Sequence, residues 1–200
     1  SRMNMPANKI TRYLEVLRDL SIVVRETPVL EKNPAKSKKG IYTVTDPFLK
    51  LWFGCIYPYE SLFEFGDVEA GMEKIQPLLR QHIASAFEEI CRWYVRYRIG
   101  AYNCVRVGRQ WGKDYETDVA GVDKQDRLSM VGECKWSEQK VGFSVLRELE
   151  QKLMDRQLPV SDKLTYVLFS KSGFTEDLLD HAHSHKNVQL VHDVFALKRL

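Results

Sequence analysis

Apolar residues in the first part of the chain recur with the period of a helix. Ile10, Tyr13, Leu14, Leu17 and Leu20 share one face of an amphipathic stretch closed by Ser21 and Ile22, and spacings of three and four predict an α-helix. Val23, Val24 and Arg25 then open a strand, and residues 40–44 supply a second. The polar loop between them, residues 31–39, carries Lys32, Lys36, Lys38 and Lys39 with one proline, Pro34. Helix, strand, basic loop, strand is the closing half of a winged helix with the loop as its wing. Only nine residues precede Ile10, so the expectation over 1–47 is a partial winged-helix unit.

Thr45-Asp46-Pro47 offers an N-cap and a proline at the first helical position. The aromatic stretch that follows (Phe48, Trp52, Phe53, Tyr57, Tyr59, Phe63, Phe65) reads as a helical connector over 48–75, its aromatics suited to packing between two domains. After a break at 66–71, a long helix is expected over 76–97, a short strand over 101–107, and a strand pair over 115–122 and 128–136. A helix over 143–154, an apolar strand over 164–170, a helix over 175–185 and a last strand over 188–191 complete 76–200. This order predicts an α/β domain, a mixed sheet flanked by helices.

The strand pair carries the chemistry. If its turn is centred between Gln125 and Asp126, opposed residues have numbers summing to 251, which sets Asp118 against Glu133 and Glu116 against Lys135. Opposed side chains in an antiparallel pair share a face, with Cβ atoms about 4.5–5.5 Å apart. A slip of one residue would send Glu133 and Lys135 to the other face. Carboxylates held this close raise each other's proton affinity unless a cation joins them. Mg²⁺ (or Mn²⁺) resolves such a conflict through oxygen ligands and can activate a water for attack on phosphate. An ammonium on the same face can orient that water or offset developing charge. A charged ladder on an exposed sheet would look similar. However, both strands are apolar on both faces: Val119 and Met130 on one, Ala120, Val122 and Val131 on the other. Strands buried on both sides seldom keep ionisable groups without a use for them.

Composition adds limits. Hydrophobic residues at 44% and charged ones at 28% are the mix of a globular protein. No apolar run suggests a membrane span or a signal peptide. Cys55, Cys91, Cys104 and Cys134 are scattered without metal-ligand spacing, which suits a reducing cytoplasm. His181, His183 and His185 could place at most two rings on one helix face. The net charge of +3 identifies no partner, but its distribution does more. From Arg80 to Lys113 there are seven basic residues against Glu88 and Glu89. Arg92, Arg96, Arg109 and Lys113, with Lys36, Lys38 and Lys39 on the wing, are the expected phosphate contacts on DNA. The oligomeric state is open, a homo-oligomer included.

Gly132-Glu133-Cys134-Lys135-Trp136 after Glu116-Thr117-Asp118-Val119 resembles the Asp…Glu-x-Lys core of the PD-(D/E)xK, or restriction-endonuclease-like, superfamily. The proline that often precedes its first aspartate is Thr117 here. Four further segments, at 13–17, 31–34, 107–113 and 168–174, look like the C-terminal region of archaeal-type AAA ATPases. That region is a winged helix followed by a nuclease-like domain of unknown function. The resemblance implies Asp118 and Glu133 as metal ligands and Lys135 as the catalytic lysine. It implies Glu88 as the completing glutamate, a solvated helix carboxylate being the plain alternative. Gln151 on the following helix is a candidate for phosphate binding. The expected activity is metal-dependent DNA cleavage, of Holliday-junction-resolvase type, driven by an ATPase module upstream. The alternative is a catalytically inactive DNA-binding or regulatory module of the same fold. No phosphate-binding Gly-x-x-x-x-Gly-Lys loop occurs in the chain, so ATP binding is not expected of it.

Overall fold

The computed structural model describes residues 6–192 and 194. They form two compact units: the chain up to Glu26 together with Gly40–His82, and Thr27–Lys39 together with the chain from Ile83 onward.

In the first unit, α1 (Ala7–Asp19) leads into a two-stranded antiparallel sheet, β1 (Val23–Glu26) and β2 (Ile41–Val44), with Val23 opposite Val44. This is the helix-and-hairpin order expected from the apolar pattern. Helix α2 (Pro47–Leu51) starts as its sequence predicts: Asp46 Oδ1 accepts the N–H of Leu49 at 2.9 Å and Pro47 takes the first position. The chain then winds through a π turn, a 3₁₀ turn and α3 (Glu60–Glu64), with Phe48 stacked on Trp52 and Phe53 edge-on to Tyr57. The long helix α4 begins earlier than expected and runs Val68–Tyr97, because Gly66 (φ +82°) reverses the chain and Asp67 Oδ1 then caps the N–H of Ala70. Pro77 is accommodated inside it.

The second unit is a mixed α/β domain. Its five strands, β3 (Arg106–Trp111), β4 (Glu116–Val122), β5 (Leu128–Lys135), β6 (Val160–Ser170) and β7 (Val188–Val191), lie side by side in chain order. Pairing is antiparallel from β3 to β5 and parallel from β5 to β7. Two expected boundaries move. Residues 99–102 form a 3₁₀ turn, so the first strand is Arg106–Trp111 rather than 101–107, and β6 starts at Val160 rather than 164.

The sheet has a core on each face. Phe87, Cys91 and Val95 of α4 pack with Val119, Met130, Val167 and Phe169 on one side. Leu146, Leu149 and Leu153 of α5 (Phe143–Asp155) and Leu178 of α6 (Glu176–Ser184) pack with Ala120, Val122, Val131 and Leu168 on the other. The loop 27–39 runs along the free edge of the sheet. Val29 donates to the carbonyl of Arg109 at 2.9 Å, Leu30 donates to Gln110 Oε1 at 3.1 Å, and Val29 joins the α5-side core. It thereby covers an edge strand that would otherwise offer unpaired amides.

The β4–β5 register is the one the numbering predicts, reached by an unpredicted route. Val119 faces Gly132, Ala120 faces Val131 and Gly121 faces Met130, each pair summing to 251. Nearer the turn the pairing is Val122 with Leu128, so Ser129 is an extra residue, a β-bulge. The cores record it: Leu128 lies in the α5-side core and Met130, two residues on, in the α4-side core. Ser129 Oγ contacts the Asn103 carbonyl at 3.4 Å and Cys104 Sγ at 3.3 Å.

Gly132 of β5 lies opposite Val167 of β6. A Cβ there would lie 2.8 Å from the Val167 carbonyl oxygen and 3.3 Å from the Phe169 ring. Gly132→Ala should therefore lower stability by about 1–3 kcal/mol, read from urea unfolding midpoints. An unchanged midpoint would show that the strands can separate there without cost.

Candidate active site

Recorded pairing of β4 with β5 stops at Val119 and Gly132. Just beyond, the N–H of Cys134, two residues past Gly132, donates to Asp118 Oδ2 at 2.8 Å, so a carboxylate rather than a strand carbonyl takes this donor. Across the same opening, Lys152 Nζ of α5 donates to the Glu116 carbonyl at 2.6 Å. The strands part, and side chains satisfy the main-chain groups that the ladder would have paired.

Asp118 and Glu133 project here on the α5 side of the sheet. The Glu133 side chain is only 15% exposed, and an ammonium holds each of its oxygens: Lys135 Nζ is 2.9 Å from Oε1 and Lys152 Nζ is 3.2 Å from Oε2. Burial works against the Lys135 charge, but the hydrogen bond and charge of Glu133 outweigh it, and its pKa is raised. The Asp118 carboxyl is pushed up to about 7, first by burial and then by the neighbouring Glu133 charge, with the Cys134 N–H acting in the opposite direction. The Cys134 thiol is driven well up by burial.

Glu88 approaches from α4, on the other side of the sheet. Burial raises its pKa, and Arg92 (3.7 Å), Arg109, Glu116 and Glu133 all act on its charge. The structure thus puts Glu133 and Lys135 in contact and sets Asp118 and Glu88 within electrostatic reach of Glu133. Among the described residues no three histidine, cysteine or carboxylate groups lie close enough to hold one metal ion together.

Several expected roles change. Glu116 does not meet Lys135; its carboxylate pairs with Arg109, 2.8 Å from that residue's Nε, because the parting strands turn it toward β3. Arg92 is not a surface phosphate contact. It is 8% exposed, and its guanidinium bridges Glu88 and the Asp118 carbonyl, the latter at 3.0 Å. Arg96 reaches the Val107 carbonyl at 3.4 Å, and Arg109 also lies over Trp111. Lys36, Lys38, Lys39 and Lys113 are exposed. Gln151 turns along its own helix to Asp155 at 2.6 Å, and its neighbour Lys152 enters the site instead. The only sequence signal for Lys152 was its place on α5, beside the buried Leu149 and Leu153. His181 and His185 stack on each other, with Phe143 against His181. Trp136 packs on Phe87 under Lys171.

Two outcomes follow. Arg92→Ala leaves the Asp118 carbonyl and Glu88 without their partner and should cost about 1–3 kcal/mol, whereas Lys38→Ala on the surface should leave the melting temperature unchanged; equal melting temperatures would contradict the bracing role. Asp118 has a folded-state pKa above its ordinary value, so folding favours its protonated form. Its contribution to stability is full below about pH 4 and is lost as pH rises through about 7. In EDTA, wild type should lose more stability than Asp118→Asn between pH 4 and 8, and parallel curves would refute the assignment.

The chain is similar to proteins of known sequence or structure. An uncharacterized protein of Methanocaldococcus jannaschii, MJECL04, is 27% identical over 135 residues, covering 66% of this chain and 30% of that protein. The crystal structure of protein VC1899 from Vibrio cholerae aligns with 92% of this chain and 39% of its own at 16% identity, with a TM-score of 0.32, too low for a shared fold to be inferred. The chain thus spans well under half the length of either. No helix among the described residues is long and apolar enough to cross a membrane. Residues 52–151, half of the chain and the stretch that carries Glu88, Asp118, Glu133 and Lys135, match the DUF234 family model. The chain belongs to this family of archaeal and bacterial proteins of unknown function.

Proposed function

We propose that the opening between β4 and β5 is a phosphodiester-hydrolysing site of the PD-(D/E)xK kind, acting on DNA with Mg²⁺ or Mn²⁺. The observation that carries this reading is the placement of Asp118 and Glu133 just past the last paired residues of a strand pair buried on both faces, where the Glu133 charge raises the proton affinity of Asp118, with Lys135 on Glu133 at 2.9 Å. The donor chemistry suits a hard divalent ion. Mg²⁺ needs only one or two carboxylates and keeps several waters, so Asp118 and Glu133 suffice to hold it, and Glu88 would add charge from α4. Such an ion supplies an activated water and neutralises charge on the phosphate.

The chain's own residues do the rest. The Cys134 N–H and Arg92, through the Asp118 carbonyl, fix the Asp118 backbone and carboxylate. Lys135 places a positive charge where negative charge develops on the phosphate. Lys36, Lys38, Lys39 and Lys113, exposed on the same unit, offer contacts to flanking phosphates. In this reading the chain is one part of a longer cytoplasmic protein with an ATPase module upstream. The support is the resemblance of its segments and its coverage of 30% of the archaeal relative.

A second reading, a nuclease-fold module that binds DNA without cutting it, is favoured by one observation: both oxygens of Glu133 are held by lysines.

Incubation with branched and linear DNA in Mg²⁺ or Mn²⁺ separates the two. Cleavage should appear and fall by about 100-fold or more in Lys135→Ala and Asp118→Asn. Salt-dependent binding without cleavage, indifferent to both substitutions, would establish the second reading instead.

A further inference from the structure

Lys152 belongs to the site by contact, although no motif points to it. Its side chain is 25% exposed and leaves α5 between Leu149 and Leu153, which are buried in the core. The ammonium lies in the gap where β4 and β5 part, donating to Glu133 Oε2 at 3.2 Å and to the Glu116 carbonyl at 2.6 Å. A lysine suits this place because one compact ammonium with three donors can serve a carboxylate and a carbonyl together. Lys135 occupies the other oxygen of Glu133. Asp118 and Glu133 are thus matched in number by Lys135 and Lys152. Any cation that uses Glu133 as a ligand meets two ammonium groups first.

We propose that Lys152 is a built-in counter-ion of Glu133, displaced by the incoming divalent cation and then free to take a phosphate of the nucleic acid. The inference rests on the reading of the site as one for phosphodiesters. Its consequence is coupling. A divalent cation added to two carboxylates and two ammonium groups leaves an excess of two positive charges, which a phosphodiester backbone offsets. Cation and DNA should therefore strengthen each other's binding, and by the same factor in either order of addition. Lys152 acts here as a positioning residue, setting the affinity of Glu133 for a cation.

The test is a titration with Mn²⁺, the free ion followed by electron paramagnetic resonance, with and without a short duplex. Wild type, Lys152→Gln and Lys152→Arg are compared. Without DNA, Lys152→Gln should bind Mn²⁺ about tenfold more tightly or better, because Glu133 no longer has to be released from a counter-charge. The gain that DNA brings to Mn²⁺ affinity in wild type should shrink in this variant, and Lys152→Arg should behave as wild type. Lys152→Met keeps the aliphatic stem and is titrated with the same two outcomes if the glutamine variant does not fold. Wild type that binds Mn²⁺ while the variant binds it no more tightly overturns this proposal alone. Absence of Mn²⁺ binding in every protein, with DNA present, overturns it together with the hydrolase reading.

Discussion

Side chains alternate across a strand, so two strands can build a site between them only if their register is held. In this domain one unpaired residue holds it. Ser129 adds a step to β5 between the Val122–Leu128 and Gly121–Met130 pairs, and every residue beyond it takes the face opposite to the one it would otherwise have. Without that step Glu133 and Lys135 would turn into the α4-side core, among Phe87, Cys91 and Val95, while Asp118 stayed with α5. The bulge is anchored by Asn103 and Cys104, from the segment that links α4 to β3. The site therefore depends on the sheet and on the end of α4 together.

The second condition is electrostatic. Carboxylates drawn into a partly buried gap repel one another and lose solvation. Each here has a specific answer: the Cys134 amide for Asp118, two lysines for Glu133, and Arg92 for Glu88. These partners come from β5, α5 and α4, so the charges also tie helices on both faces to the parted strands. Burial still leaves Asp118 with a proton affinity far above that of an ordinary aspartate. Groups shifted in this way cluster at functional sites, and the shift here has a geometric source in the opening of the strand pair.

Basic residues divide by the same logic. Those on α4 and β3 are largely committed to the protein: Arg92 to Asp118 and Glu88, Arg106 to Asp126, Arg109 to Glu116 and Trp111. The lysines expected to contact phosphate, Lys36, Lys38 and Lys39 on the loop 27–39 and Lys113, are exposed instead. A run of positive charge in sequence was thus a mixture of internal braces and surface groups, which only their burial could separate.

Local pattern was enough for much of this molecule. Helical and strand periodicity located nearly every element, capping chemistry marked Asp46 and Pro47, and arithmetic on the β4–β5 turn placed Asp118 beside Glu133. These features rest on neighbours in the chain or on one hairpin, where few arrangements are possible. What local pattern could not supply was any partner distant in sequence: Arg92 under Asp118, Glu116 turned to Arg109, loop 27–39 along β3, and Lys152 rather than Gln151 in the site. On α5 those last two are adjacent polar residues of one helix. Packing of Leu146, Leu149 and Leu153 against the sheet decides the helix rotation, and the rotation decides which of the two faces Glu133. Asp118, Glu133 and Lys135 were legible in the sequence alone; the counter-charges from the helices, Lys152 and Arg92, were decided by tertiary packing, because a helix can be read from its own residues but its orientation on a sheet cannot.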